Sequence, residues 1–355
     1  MKTSIHEAFD LGQSIWLDYI SRDLIASGGL KSWIDKGVVG VTTNPSIFEN
    51  AIAKTQDYDS EIAALAKEGK TPAEIYEILT LQEVGAAADI LKPVYDSTNG
   101  KDGYVSLEVN PLIASDKNTT ISEAKRLFAL LNRPNVMIKI PATPEGIAAL
   151  KECIAGGVNV NSTLIFSQEQ YINVARAYIE GANKAGKQIA SVASVFVSRV
   201  DTAVDAALPK NDDLAGKIAV DGIRLMYQEF KKLFANEKFI QRPLWASTGT
   251  KNKAYSDVKY VEDLIGPDTV NTVPPATLDA FVDHGHAALT LENDLNEAES
   301  EIKKLSSLGI DFDAICAKLL ADGLKAFNAA FESLMEAIKT KATGRSEHTI
   351  SGAFI

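Results

Sequence analysis

The seven residues 136–142, VMIKIPA, decide the fold. Val136, Ile138 and Ile140 share one parity of a β-strand, and Met137 and Lys139 share the other, because successive strand side chains point to opposite faces. The apolar parity has to meet packed helices, so the lysine is left pointing into the interior. Working outward, the same kind of run recurs at SIWLDYI (14–20), GVVGVTTN (37–44), YVSLEVN (104–110), VNVNSTLIF (158–166), IASVASVF (189–196), PLWASTGT (243–250) and TVNTVPP (269–275). With 136–142 these make eight short strands, separated by amphipathic helical patterns. Such alternation predicts parallel pairing with right-handed crossovers.

An open, doubly wound sheet and a closed barrel both satisfy that rule. Three features favour a single (β/α)8 barrel over residues 1–355: the strand number, the lack of a glycine-rich fingerprint after the first strand, and polar residues recurring at one level of many strands. Helix starts are marked by Thr71-Pro72-x-Glu74, Thr120-x-x-Glu123 and Ser167-x-x-Gln170, each with capping-box logic, and by Thr143-Pro144. Additional helical sequence precedes the first strand. The Glu-, Asn- and Ser-rich stretch 285–310 predicts a helical insertion after the eighth strand. Residues 311–342 predict one long helix whose stripe of Leu319, Leu320, Leu324, Phe327 and Phe331 must pack on the rest of the protein.

Composition narrows the function. The chain has 355 residues, 46% hydrophobic and 23% charged, which is globular usage. A net charge of -11, with no Lys/Arg run, argues against nucleic acid or an anionic membrane as partner. The start MKTSIHEAFD has no apolar core of a signal peptide, and no 18-residue apolar run occurs, so a cytoplasmic protein is expected. Cys153 and Cys316 form no disulfide or metal pattern and are expected as small buried hydrophobes. His6, His284, His286 and His348 are scattered, and His284-x-His286 has the character of a surface or helix-end pair. No metal or cofactor is expected.

The candidate site follows from parity. Glu108, Lys139, Asn161 and Thr163 fall on the inward side of their strands, as do Trp16 and Asp18, Thr42 and Asn44, and Ser194 and Phe196. Most lie late in their strands, where a barrel carries its active site. So many buried polar groups need partners or a purpose. Lys139 can be read as a buried ion-pair partner of Glu108, or as an amine that burial turns into a neutral nucleophile for a ketone. The second reading requires proton carriers, and Asp18 and Glu108 are the two carboxylates placed in the lumen.

The segments WLDYISRDL, GVTTNPSIF, SLEV, MIKIPAT, NSTLIFS and SVASVFVSRVD, in this order, resemble the motif series of the transaldolase family, within the class I Schiff-base aldolases. The resemblance runs from about Ile15 to Ala342. It implies that Lys139 forms a Schiff base, that Asp18 takes the C4-hydroxyl proton during C3–C4 cleavage, and that Glu108, through a water held with Thr163, relays protons for imine chemistry. It also implies that Asn44, Asn161 and Ser194 hold the hydroxyls of a dihydroxyacetone unit, with Phe196 as an aromatic wall and Arg199 on the phosphate.

The turn ASTGTKN departs from the Ser-Phe-Arg expected of shorter relatives. It resembles the longer bacterial branch, with Ser247 retained and Lys251 supplying charge. The implied activity is transfer of a dihydroxyacetone unit between sugar phosphates in the non-oxidative pentose phosphate pathway, by a monomer or homodimer. Three alternatives remain: an aldolase of the fructose-6-phosphate type, which frees dihydroxyacetone; an inactive sugar-phosphate-binding barrel; and a pyridoxal-phosphate barrel, which would be coloured.

Overall fold

The computed structural model describes residues 2–343, and His348 lies outside them. Eight parallel strands close into a barrel in sequence order: β1 (Gln13–Leu17), β2 (Gly40–Val41), β3 (Tyr104–Glu108), β4 (Val136–Pro141), β5 (Val160–Ile165), β6 (Ser191–Phe196), β7 (Arg242–Ala246) and β8 (Thr269–Val273), with β8 pairing back onto β1. The strands are shorter than the apolar patterns. β2 keeps only two residues because Asn44 turns the chain into the helix Pro45–Phe48, its Oδ1 accepting from Ile47 N at 3.0 Å. Gly40 has to be glycine: a Cβ there would lie 2.5 Å from Cδ2 of Trp16, whose indole fills the lower lumen.

Register places the polar residues. Glu108 stands beside Lys139, Lys139 beside Asn161, and Pro141 beside Thr163. The regular alternation expected through Leu164 is interrupted, because the β5–β6 register shifts between Ser162 and Ile165 and Leu164 sits at φ 60°. Bulges of this kind bend a strand at barrel rims and re-aim its side chains.

Helix starts follow the capping residues with one correction. Thr71 and Glu74 form the reciprocal box ahead of Pro72–Ser97, and Thr143 caps Pro144–Ala155. Ser167 caps Gln168–Ala185, but the Gln170 amide reaches past the cap to Phe166 N, Ala142 O and Leu164 O. The helix expected to begin at Thr120 begins at Lys117, because Asp116 is the cap and accepts from Thr119 N at 3.0 Å. Thr120 is buried inside that helix, and Glu123 pairs with Arg126.

After β8 and the helix Pro275–His284, the stretch 285–310 is loop as far as Asp294 and then the helix Leu295–Ser307. The last helix, Phe312–Ala342, lies as a strap across the C-terminal mouth of the barrel. Near its start Cys316 Sγ donates to Phe166 O at 3.3 Å, just beyond β5. Farther along, Phe331 meets Tyr76 edge to face at 5.3 Å, and Tyr76 meets Phe48 at 6.3 Å. Ser333 donates to Glu49, and Lys341 to Asp59, in the segment that follows β2. No described helix is long and apolar enough to cross a membrane.

The opposite end of the lumen is closed by a buried polar plug. Asp102 accepts from Ser14 Oγ at 2.9 Å, Trp16 Nε1 at 3.3 Å and Arg242 Nη2 at 2.9 Å, and Arg242 also donates to Ser14. Removing one partner of such a pair leaves a buried charge uncompensated. Asp102→Ala is expected to lower unfolding free energy by about 3–5 kcal/mol, read from urea denaturation.

Candidate active site

Lys139 sits near the end of β4, 4% exposed, with Nζ donating to Thr43 O at 3.0 Å and lying 3.4 Å from Glu108 Oε2. Glu108, at the end of β3, is buried just as deeply, and neither of its oxygens has a hydrogen-bond partner. Its ion-pair contact is therefore real but does not satisfy the carboxylate. Burial pushes the Glu108 carboxyl up to about 7; Lys139 opposes that rise and Asp18 adds to it. Such a group is half protonated at neutral pH, the condition under which a carboxyl both gives and takes protons effectively. Thr163 Oγ1, two positions beyond Asn161 on β5, is likewise buried without a partner.

Asp18 follows β1 in a different setting. Its Oδ1 accepts from Thr42 Oγ1 at 2.6 Å, and Thr42 Oγ1 is 2.5 Å from Thr272 Oγ1 of β8. Burial raises its pKa, but Lys139, the Thr42 hydroxyl, Arg199 and Lys251 all pull it down. Two carboxylates near one amine, each with its own surroundings, are how a single site divides proton-transfer tasks.

A cavity of about 170 Å³ opens above Lys139, lined by Asp18, Asn44, Lys139, Ser194, Phe196, Arg199, Ser247 and Lys251 among others. Asn44 has its carbonyl oxygen committed to the helix cap, which leaves its amide group to donate into the cavity. Ser194 donates to Asn161 Oδ1 at 2.6 Å, and Asn161 Nδ2 donates to Ser106 Oγ at 3.1 Å. Asn161, Glu108 and Thr163 thus lie behind the cavity wall rather than on it.

Phe196 packs on Phe166 at 5.3 Å and carries the Arg199 guanidinium over its ring at 5.1 Å. Burial lowers the pKa of Arg199, and Asp18 opposes this. Ser247 adopts φ 57°, a left-handed conformation, and its Oγ lies 2.9 Å from that of Ser198. Exposed Lys251 completes the cationic end.

Larger grooves of about 520 and 770 Å³ lie outside the barrel, where the helix Gln168–Ala185 meets residues of the last helix. Lys139, Asp18, Arg199 and Lys251 line the smaller cavity instead. Six residues of the cavity wall escaped the sequence reading: Ser46, Ala246, Gly249, Thr272, Pro274 and Phe327. Thr272 shares inward parity with Val270 on β8 and could have been found so. Phe327 carried only the signature of core packing. Among the described residues no group of three or more His, Cys, Asp or Glu is arranged to hold a metal ion. His284 ends its helix exposed, between Asp257 and Asp283.

A strand lysine beside a buried carboxylate, with a second carboxylate lining the same cavity at the C-terminal mouth of a closed parallel barrel, defines a (β/α)8-barrel enzyme with a lysine-centred site. Residues 15–338 match the model of the Transaldolase/Fructose-6-phosphate aldolase family, and the chain belongs to that family. It is 44% identical to a transaldolase of Trichodesmium erythraeum, over 94% of this chain and 96% of the relative. It is 44% identical to a transaldolase of Neisseria gonorrhoeae (94% and 99%), and 46% identical to transaldolase 1 of Streptomyces avermitilis (95% and 95%).

The raised Glu108 pKa has a sign that can be measured. Between the ordinary carboxyl range and about 7, the folded protein keeps a proton that the unfolded chain has released. This group's contribution therefore destabilises the fold progressively as pH rises through that window, by up to roughly 3 kcal/mol. Urea unfolding at pH 5 and pH 8 should show Glu108→Gln gaining stability relative to wild type at the higher pH. An unchanged difference between the two pH values would contradict the assignment.

Proposed function

We propose that this chain is a transaldolase, passing a dihydroxyacetone unit from a ketose phosphate such as sedoheptulose 7-phosphate or fructose 6-phosphate to an aldose phosphate such as erythrose 4-phosphate or glyceraldehyde 3-phosphate. The observation that carries the reading is the 3.4 Å approach of Lys139 to a Glu108 carboxyl that titrates near neutrality, beneath the cavity that Asp18 lines. Lys139 attacks the C2 carbonyl. Glu108, working through a water held with Thr163, moves the protons that dehydrate the carbinolamine and later rehydrate the imine. Asp18 takes the C4-hydroxyl proton, C3–C4 breaks, and its electron pair passes into the protonated imine to give an enamine. The aldose leaves, a second aldose enters, and the steps reverse.

The remaining residues hold the substrate. Asn44 and Ser194 meet the hydroxyls of the three-carbon unit, with Asn161 fixing Ser194 and lending its remaining amide hydrogen. Phe196 walls the side. Arg199, with its planar fork, Ser247 and Lys251 take the phosphate, as suits the loops beyond late strands of a barrel. A cytoplasmic location and a monomeric or dimeric state belong to the same proposal. It also places the reaction in the non-oxidative pentose phosphate pathway.

Three outcomes test it. Lys139→Ala should fold normally, lose turnover to background, and gain no mass on borohydride reduction with fructose 6-phosphate. Glu108→Gln should slow pre-steady-state imine formation about 10²–10⁴-fold with little change in affinity. Omitting erythrose 4-phosphate should leave wild-type consumption of fructose 6-phosphate slow. Rapid acceptor-independent turnover would make the protein a dihydroxyacetone-releasing aldolase instead.

A further inference from the structure

The cavity above Lys139 has mostly polar walls. Its apolar members are Phe196, Ala246, Pro274 and Phe327, and of these only Phe327 comes from outside the strands and their connecting loops. It descends from the strap helix Phe312–Ala342, is 2% exposed, and has its ring centroid 5.7 Å from Lys139 Nζ. The strap is held on both sides of this ring, by Cys316 on the Phe166 carbonyl and by the Phe331–Tyr76–Phe48 stack.

One turn before the ring, Gly323 lets the helix lie low. A Cβ at that position would be 3.0 Å from Leu164 Cδ2 and 3.6 Å from Arg199 Nη1. Glycine inside a helix costs about 1 kcal/mol relative to alanine, so the close seating of the strap is maintained against helix propensity.

We propose that Phe327 sets the fate of the covalent intermediate: its ring keeps bulk water from the enamine on Lys139, so that the three-carbon unit is transferred rather than released. This rests on the transaldolase reading above. The competing reaction consumes one water. The enamine's electron pair takes a proton at C3, water adds across the resulting C=N bond, and the carbinolamine collapses to the free Lys139 amine and dihydroxyacetone. Neither oxidant nor reductant is involved. Closing a site against water is a general means of suppressing such side reactions. Phe327 touches the region of the reacting amine without exchanging protons with it, which makes it a positioning residue.

The test is a partition ratio, free dihydroxyacetone released per transfer, with fructose 6-phosphate as donor and saturating erythrose 4-phosphate. Phe327→Ala should raise the ratio at least about tenfold while borohydride still traps the adduct on Lys139. Phe327→Leu should give an intermediate rise, and it decides the matter alone if the alanine variant does not fold. A parallel fall in trapping and transfer at constant ratio would assign the ring to structure only and overturn the proposal. So would an unchanged ratio in variants that trap normally. Absence of any trapped adduct in the wild type would instead remove the transaldolase reading itself, and it is scored before any variant is made.

Discussion

Everything at the mouth of this barrel depends on the contact between Lys139 and Glu108. The two groups are neighbours in register on β3 and β4, equally buried, and 3.4 Å apart. In water such a pair would be a plain ion pair. Here desolvation of the carboxyl outweighs the attraction of Lys139, and the balance between them brings its titration up to about 7. The fold sustains this balance because β-sheet register, rather than flexible side-chain choice, sets the separation.

A second carboxylate near the same amine would duplicate the first if its surroundings were the same. They differ. Asp18 receives a hydroxyl hydrogen bond and faces three cations, whereas Glu108 has no hydrogen-bond donor on either oxygen. The cations other than Lys139 lie on one side, beyond β6 and β7, which gives the cavity a polarity running from the amine toward Arg199 and Lys251. A substrate with one carbonyl and one terminal phosphate has the same polarity. The overall acidity of the chain is irrelevant at this scale, because the field in a small cavity is set by its nearest walls.

Much of this was legible because strand parity is a strong constraint. Val136, Ile138 and Ile140 leave Lys139 only one direction to point, and the same holds for Glu108, Asn161 and Ser194. Whatever departed from regular geometry was hidden. The register shift at Leu164 has no composition signal, and Asp116 displaced Thr120 as a cap because both are good caps and only the preceding turn decides between them. Phe327 was legible as a residue that packs but not as what it packs against, since contacts between residues far apart in the chain follow from the tertiary path of the last helix. The roles of Ser247 and Lys251 depend on loop backbone, where periodicity carries no information.

The pair of hydroxyls on Thr42 and Thr272 joins positions 230 residues apart, across the line where the last strand meets the first, and Thr42 also holds Asp18 from 24 residues away. The carboxylate's immediate surroundings are therefore assembled only when the ring of strands shuts. A nascent or half-folded chain can possess Lys139 and Glu108 side by side, since β3 and β4 are consecutive. It lacks the Thr272 hydroxyl that meets Thr42 and the Val273 carbonyl that accepts from Asp18 N. Closure of the barrel thus becomes the event that finishes the setting of Asp18, long after the neighbours of Lys139 on β3 and β4 have been laid side by side in the chain.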